Sequence, residues 1–337
     1  MKGQILMQRR EERVDLDKKN QVILQMLINN SRSSISKISK IVKISKPAVL
    51  QRIRQMEGNK IILQYIAYYN LIRAGYKFHT ILLEIGKENE LIYAEKLSCC
   101  KFTCAVIQLA HKFNILWMVF SKNQEHLNEI ISEVNRTMKV KDLKVLPIVD
   151  YYFDNYELFA GNKKKITKTH NKKIIKLDKI DAKILNVLKN NSRESLVGIA
   201  NQCKITAEAI KKRINKLEEN GVILSFFTNF NIFKLGFQPY VILIKTNRQK
   251  QKEIINFIRQ HKNTNGQYLI DDEFDLMCVI VVKDISELRG FINQAHSLFR
   301  DNIIDYEIYL MIDQIFNDFF PLGIYEDIQK ISKKDLL

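Results

Sequence analysis

Two groups of side chains in this chain have types and spacing that invite chemistry. The first is Cys99, Cys100, Cys104 and His111, which together offer soft metal donors. Adjacent cysteines followed by Cys104 do not give the paired-cysteine spacing of a zinc knuckle, so no metal is expected there. With Cys203 and Cys278 they make five cysteines, an odd set without framework spacing, which reads as reduced thiols. The other histidines, His79, His126, His170, His261 and His296, share no recurring partner. Catalysis needs a placed proton donor that this pattern does not supply, so neither an enzyme nor a cofactor is expected. The second group is a helical stripe. If Val49, Ile53 and Met56 face a core, then Pro47, Gln51, Arg54 and Gln55 point outward, with Ser45 and Lys46 at the helix start. Amides suit adenine edges and a guanidinium suits guanine, so this stripe can read bases.

The stripe occurs twice, because the chain is a duplication. A shift of 161 residues lays Leu16 to Tyr76 on Leu177 to Phe237 without a gap, with roughly 23 of 61 positions identical. The second outward face is Glu208, Lys212, Asn215 and Lys216, after Thr206, and it differs from the first at every position. Arg52 and Arg213 lie nearer the core edge and suit phosphate or a structural ion pair, while Arg32, Arg193, Lys43 and Lys204 are further phosphate candidates.

Three short amphipathic helices carry each stripe. In the first copy Val22, Ile23, Met26 and Leu27 mark one; Ser34 caps a second through Ile35, Ile38 and Ile41; Ser45 caps a third. The turn VKIS, repeated as CKIT, is short enough for a helix-turn-helix. The apolar run IILQYIAYY then reads as a strand, a wing or hinge. The remainder of each copy alternates as βαββαβ, the ferredoxin-like order. The chain is thus predicted to be α+β, with two winged helix-turn-helix domains, each followed by a ferredoxin-like domain. The expected divisions are an N-terminal extension 1–15, helix-turn-helix domain 16–66, α+β domain 67–160, a Lys-rich linker 161–176, helix-turn-helix domain 177–227, α+β domain 228–325 and a tail 326–337.

Charge follows these divisions. The net charge is +17, from 54 basic and 37 acidic residues. Residues 16–63 hold 10 basic and 2 acidic side chains, residues 177–224 hold 9 and 6, and the linker holds seven lysines and no acid. Residues 64–160 balance at 11 and 11, and residues 225–337 are slightly acidic at 13 and 15. A membrane-adhering surface would not concentrate charge this way, whereas helical modules docking on phosphate would. No apolar run approaches the roughly 18 residues a bilayer span needs, and the start, MKGQILMQRREERVD, does not resemble a signal peptide, so a cytoplasmic protein is expected.

The strings LDKIDAKILNVLKNNSRESLVGIA and ITAEAIKKRINKLEENGVI, followed by βαββαβ, resemble the Lrp/AsnC family of transcription regulators, and the first copy matches through LDKKNQVIL, NNSRSS and ISKPAVLQRIRQME. The resemblance implies sequence-specific binding of double-stranded DNA by the helix-turn-helix. It also implies an α+β (RAM-type) domain that dimerises by laying two sheets face to face, and an amino acid or other small effector. Tandem copies would then form an intrachain pseudo-dimer, able to assemble further. The family's effector turn between the middle strands carries Gly-x-(Tyr/Phe)-Asp, and here the segments read HKFN and DEFD. His111 and Asp272 replace the glycine and Asn114 replaces the aspartate, while Phe113, Phe274 and Asp275 conform. With Asp271 and Glu273 beside it, the second segment also reads as a solvated hairpin tip. Siroheme decarboxylases resemble the same family and give the alternative, a fused enzyme. Their histidine-bearing strand segment is here Cys104, Ala105, Val106 and Ile107, and their RIG motif is replaced by LQYIA and LSFFT.

Overall fold

The computed structural model describes residues 13–152 and 173–330. Asp17, Ser34 and Ser45 each accept a backbone N–H at a helix start, opening α1 (Lys18–Asn29), α2 (Ile35–Val42) and α3 (Lys46–Gly58). Then follow β1 (Ile62–Tyr69), β2 (Lys77–Ile85), α4 (Glu90–Cys99), β3 (Thr103–Ala110), β4 (Ile115–Ser121), α5 (Gln124–Thr137) and β5 (Val140–Tyr152). The second half repeats the series as α6 (Lys179–Asn190), α7 (Leu196–Cys203), α8 (Ala207–Glu219), β6 (Ile223–Phe230), β7 (Gln238–Thr246), α9 (Gln251–Gln260), β8 (Thr264–Ile270), β9 (Leu276–Val282), α10 (Ile285–Phe299) and β10 (Ile303–Asn317). A final helix, α11 (Leu322–Lys330), completes it.

The strand read as a wing or hinge pairs with its own counterpart. β1 and β6 form an antiparallel two-stranded ribbon in which Ile66 lies opposite Phe227, residues 161 positions apart, so a pseudo-two-fold passes through that pair. The ribbon exchanges core between halves: Phe227, Phe230, Phe233 and Phe237 join the core of the first helical domain, and Ala67, Tyr69 and Leu71 join that of the second.

Within each half the α+β strands order as β3-β4-β2-β5 and β8-β9-β7-β10, the ferredoxin-like arrangement expected from the sequence. The two sheets do more than lie face to face. Their edges join through β5 with β8 and β10 with β3, closing an eight-stranded barrel that leaves no free edge. Long strands make this possible: β5 pairs with β2 as far as Ile148 and with β8 beyond it, and Leu310 of β10 pairs with both Tyr240 and Ala110. Alternation sorts the side chains. Phe78, Leu82, Met118 and Phe120 turn into the barrel, while Ile81, Leu83, Trp117 and Val119 turn outward under α4 and α5.

The structure corrects several expected divisions. The limits at 66/67 and 227/228 fall inside β1 and β6, because the ribbon bridges helical and sheet domains. The tail predicted from 326 is in part α11, with Ile324 and Ile328 buried against the second helical domain and Glu326 and Asp327 paired to Lys101 at 2.8 Å and Lys122 at 2.9 Å. Gly323 permits this docking, since a Cβ there would stand 2.5 Å from the Phe102 ring. Most of the linker, 161–172, and residues 1–12 of the extension and 331–337 of the tail lie outside the described residues. The linker's end is tied down: Ile175 N donates to Arg73 O at 2.6 Å, as Val14 N of the N-terminal extension does to Lys234 O at 2.8 Å.

His79 on β2 is 5% exposed, and its Nε2 lies 3.0 Å from Ser121 Oγ. Burial, aided by Lys77, pushes its pKa down from 6.5 to about 4. The unfolded chain therefore takes up a proton that the folded chain refuses, and stability is complete above about pH 6.5 and lost as pH falls toward 4, by at most about 3 kcal/mol. Melting temperature measured from pH 4 to 7 should fall along this window, and His79→Gln should flatten the profile there. Equal slopes in the two proteins would show that another group governs it.

Candidate nucleic-acid interface

The outward face of α3 is built as the sequence predicts. Val49, Ile53 and Met56 are buried, Ser45 Oγ accepts from Ala48 N at 3.3 Å, and Lys46, Pro47, Gln51, Arg54 and Gln55 are exposed. Pro47, Leu50, Gln51, Arg54 and Gln55 line one shallow concavity. Leu50 was missed by the wheel reading, although it lies three residues from Pro47 and is 40% exposed; it offers a methyl-contacting surface among the polar groups. On α8 the matching face exposes Glu208, Lys211, Lys212, Asn215 and Lys216, after Thr206, whose Oγ1 accepts from Ala209 N at 3.2 Å. Lys211, the counterpart of Leu50, was likewise missed. Glu208 and Lys212 pair at 2.9 Å one helical turn apart, so this head presents less uncompensated charge.

Lys43 and Lys204 occupy the turns before these helices, both exposed and both left-handed at φ 56°. The backbone N–H of each closes its helix by donating to Ser39 O in α2 or Ala200 O in α7, two residues before the cap of the following helix.

All four arginines bind protein groups: Arg52 and Arg213 take the structural ion pair that stood as their alternative to phosphate, while Arg32 and Arg193 reach across to the other half. Arg52 Nη1 donates to Asp17 Oδ2 at 2.7 Å and to Asn20 Oδ1 at 2.9 Å, fixing α3 to the start of α1. Arg213 does the same in the second half, donating to Asp178 and Asp181 at 2.7 Å each. Arg213 and Asp181 are two-thirds or more covered, and burial raises the Asp181 carboxyl pKa despite the guanidinium beside it. The Asp17 carboxyl is held below its ordinary range by the Asn20 N–H first and Arg52 second.

Arg32 and Arg193 instead cross the pseudo-two-fold. Arg32 Nη1 donates to Ser192 O at 2.6 Å and Glu194 O at 3.1 Å, with its guanidinium 5.3 Å over the Phe226 ring. Arg193 reciprocates to Ser31 O and lies 5.2 Å over Tyr65. Between them Ser31 Oγ and Ser192 Oγ meet at 2.6 Å, and their N–H groups donate to Phe226 O and Tyr65 O at 3.0 and 2.9 Å. These contacts hold the two helical domains in register. Sequence reasoning had one signal for this: both arginines follow the shared Asn-Asn-Ser, at corresponding positions of the repeat.

The six residues of the suggested effector turns divide differently. Asn114 Oδ1 accepts from Ile85 N at 2.9 Å while its amide donates to Ile85 O at 3.2 Å and to Glu90. Asp275, its counterpart, accepts from Thr246 N at 2.6 Å and Oγ1 at 2.9 Å, and from Arg248 Nε at 3.1 Å. Both polar groups are buried and engaged in pinning the hairpin to the neighbouring strand. His111 packs edge-on to Tyr309 at 4.6 Å, Lys112 covers Phe113, Lys144 sits 4.5 Å over the buried Phe274, and Asp272 is exposed. The cysteines are spread apart: Cys99 is exposed on α4, Cys100 is half-buried and Cys104 is buried on β3, where burial drives its thiol pKa up. No group of three or more His, Cys, Asp or Glu placed to hold a metal occurs among the described residues.

Known proteins match this architecture at several levels. Residues 16–57 match the model of the AsnC-type helix-turn-helix domain, and residues 177–223 that of a winged helix-turn-helix DNA-binding domain. The HTH-type transcriptional regulator Ptr1 of Methanocaldococcus jannaschii is 32% identical over 117 residues, covering 34% of this chain and 79% of that protein. The regulator LysM of Sulfurisphaera tokodaii is 30% identical over 123 residues, covering 36% of this chain and 86% of LysM. The crystal structure of the siroheme decarboxylase NirDL shares the fold across 92% of this chain and 98% of its own, with TM-score 0.61 and 12% identity. At that identity the likeness concerns fold alone. No helix among the described residues is long and apolar enough to cross a membrane. With a helix-turn-helix matched in each half and regulators aligning over most of their own length, the chain belongs to the Lrp/AsnC family of helix-turn-helix transcription regulators.

Proposed function

We propose that this protein is a cytoplasmic regulator that reads double-stranded DNA with two unequal heads, α3 and α8, mounted on an intrachain pseudo-dimer. The observation that carries the reading is the pair of exposed polar faces set on domains that, with the linker, hold the chain's basic excess, related by the reciprocal Arg32 and Arg193 contacts. Gln51 and Gln55 suit adenine and Arg54 suits guanine, whereas Glu208 can accept from cytosine and disfavours nearby phosphate. The two heads therefore prefer different half-sites. Support for a regulator over a decarboxylase comes from the strand where that enzyme's histidine is expected. There Cys104, Ala105, Val106 and Ile107 are all buried; three have no titratable group, and burial drives the Cys104 thiol pKa up, so it keeps its proton at neutral pH instead of exchanging it.

Three measurements test this reading. Alanine at Gln51 and Arg54 should leave the melting temperature within the equivalent of about 0.5 kcal/mol, since both side chains are exposed, and weaken the preferred duplex by about 1–3 kcal/mol. Arg52→Ala should do the reverse, lowering stability by about 1 kcal/mol through lost capping contacts. A drop in duplex affinity for Arg52→Ala at full stability would return that residue to the interface. Affinity measured across salt should fall with a log-log slope of roughly −0.9 per phosphate contact, and a slope near zero removes DNA as the partner. Selection of sites from random duplex should yield an asymmetric motif, one half of which vanishes when α3 or α8 is disabled. A perfect palindrome selected by a single bound chain would count against unequal heads.

A further inference from the structure

A cavity of about 110 Å³ lies where the β1–β6 ribbon roofs one mouth of the barrel. Its walls come from the ribbon (Tyr68, Phe227, Phe230), from barrel strands (Ala105, Gly266) and from Phe319 after β10. Ala105 and Gly266 sit 161 positions apart on β3 and β8, and their lack of bulk keeps the space open on both sides.

Three properties select an occupant. Every described residue lining the space is aromatic, aliphatic, amide or thiol, and not one is Lys, Arg, His, Asp or Glu. A charged ligand would lose its hydration there without gaining a counter-ion. At about 110 Å³ the space is smaller than an apolar cavity of about 150 Å³ that admits benzene in another protein, so it limits the occupant to one ring. Finally, Asn229 lines the cavity, is only 8% exposed, and has an amide nitrogen without a hydrogen-bond partner. Its counterpart 161 residues earlier is Tyr68, so duplication has placed a ring on one side and an amide on the other. A buried donor left unpaired is destabilising, and an acceptor on a ligand would satisfy it.

We propose that this cavity binds a neutral, single-ring aromatic molecule bearing one hydrogen-bond acceptor, seated against the aromatic walls and accepting from Asn229. The ribbon that roofs the site also joins the two helical domains, so occupancy alters how α3 and α8 are presented; this second part rests on the DNA-binding reading.

The test uses the full chain and acetophenone as the probe, followed by thermal shift and calorimetric titration. Acetophenone should raise the melting temperature saturably, whereas benzoate and L-phenylalanine, ring compounds with charge, should not. Asn229→Leu should weaken acetophenone by about five- to tenfold and leave toluene, which lacks an acceptor, unchanged. Ala105→Phe should remove binding of both. No saturable shift with acetophenone, equal binding by benzoate, or an Asn229→Leu variant that binds acetophenone undiminished would overturn the site. Duplex affinity should change with acetophenone in the native chain and not in Ala105→Phe; an affinity unmoved at saturating acetophenone overturns the coupling. A chain that binds acetophenone and no duplex at all would indict the DNA reading while leaving the cavity in place.

Discussion

The antiparallel pairing of β1 with β6 is the constraint on which the rest of the molecule depends. Each strand packs on both halves: Ile62 and Ile66 of β1 stay with the first helical core while Ala67 and Tyr69 join the second, and Phe227 and Phe230 of β6 cross the other way. Thr228 Oγ1 donates to Leu27 O and Tyr69 OH to Leu185 O, both at 2.8 Å, so each strand is fastened beneath the opposite helices. Asn231 N donates to Ile61 O and Asn70 N to Val222 O, again at 2.8 Å, closing the exchange at either end. A separated half would expose Phe227, Phe230, Phe233 and Phe237, each worth roughly 1.5–3 kcal/mol when buried. The helical domains are consequently finished only in the joined chain.

Charge is distributed under the same constraint. Arginines near the pseudo-two-fold have buried carbonyls to satisfy, and Arg32 loses some of its preference for the charged state through desolvation. Those beside the helix starts meet capping aspartates at 2.7 Å. The exposed set on α3 and α8 and the lysines of the turns before them are open to an outside partner. The first head is left with Arg54 and two amides, while Glu208 neutralises part of the second.

Barrel closure makes the sheets a rigid base for this arrangement. Pairing of β5 with β8 and β10 with β3 satisfies the edge strands, and β10 runs on to Asp318, whose buried carboxylate meets Lys189 at 2.8 Å from α6. Removing Lys189 would strand that charge in a site where burial already raises its pKa. The small volume left under the ribbon lies beside the counterparts Ala105 and Gly266, both without bulk, while unequal divergence has set Tyr68 on one side of it and Asn229 on the other.

Much of this was legible in one dimension. The 161-residue repeat, the Asp17, Ser34 and Ser45 caps, the 3.6-residue spacing of Val49, Ile53 and Met56, and the βαββαβ alternation are local signals, and local geometry reproduces them. Helix α11 was hidden because Ile324 and Ile328 give only one turn of apolar spacing, and their burial depends on a distant α6. The sequence by itself determined the elements, the duplication and which face of α3 or α8 turns outward, since period and capping act within a few residues. Only the tertiary structure decided that β1 joins β6, that Arg32, Arg52, Arg193 and Arg213 bind protein groups, and that Asn114 and Asp275 pin hairpins. An arginine's composition and spacing are the same whether it meets phosphate or a carbonyl; the difference lies in which backbone groups are buried within its reach, and long-range packing sets that.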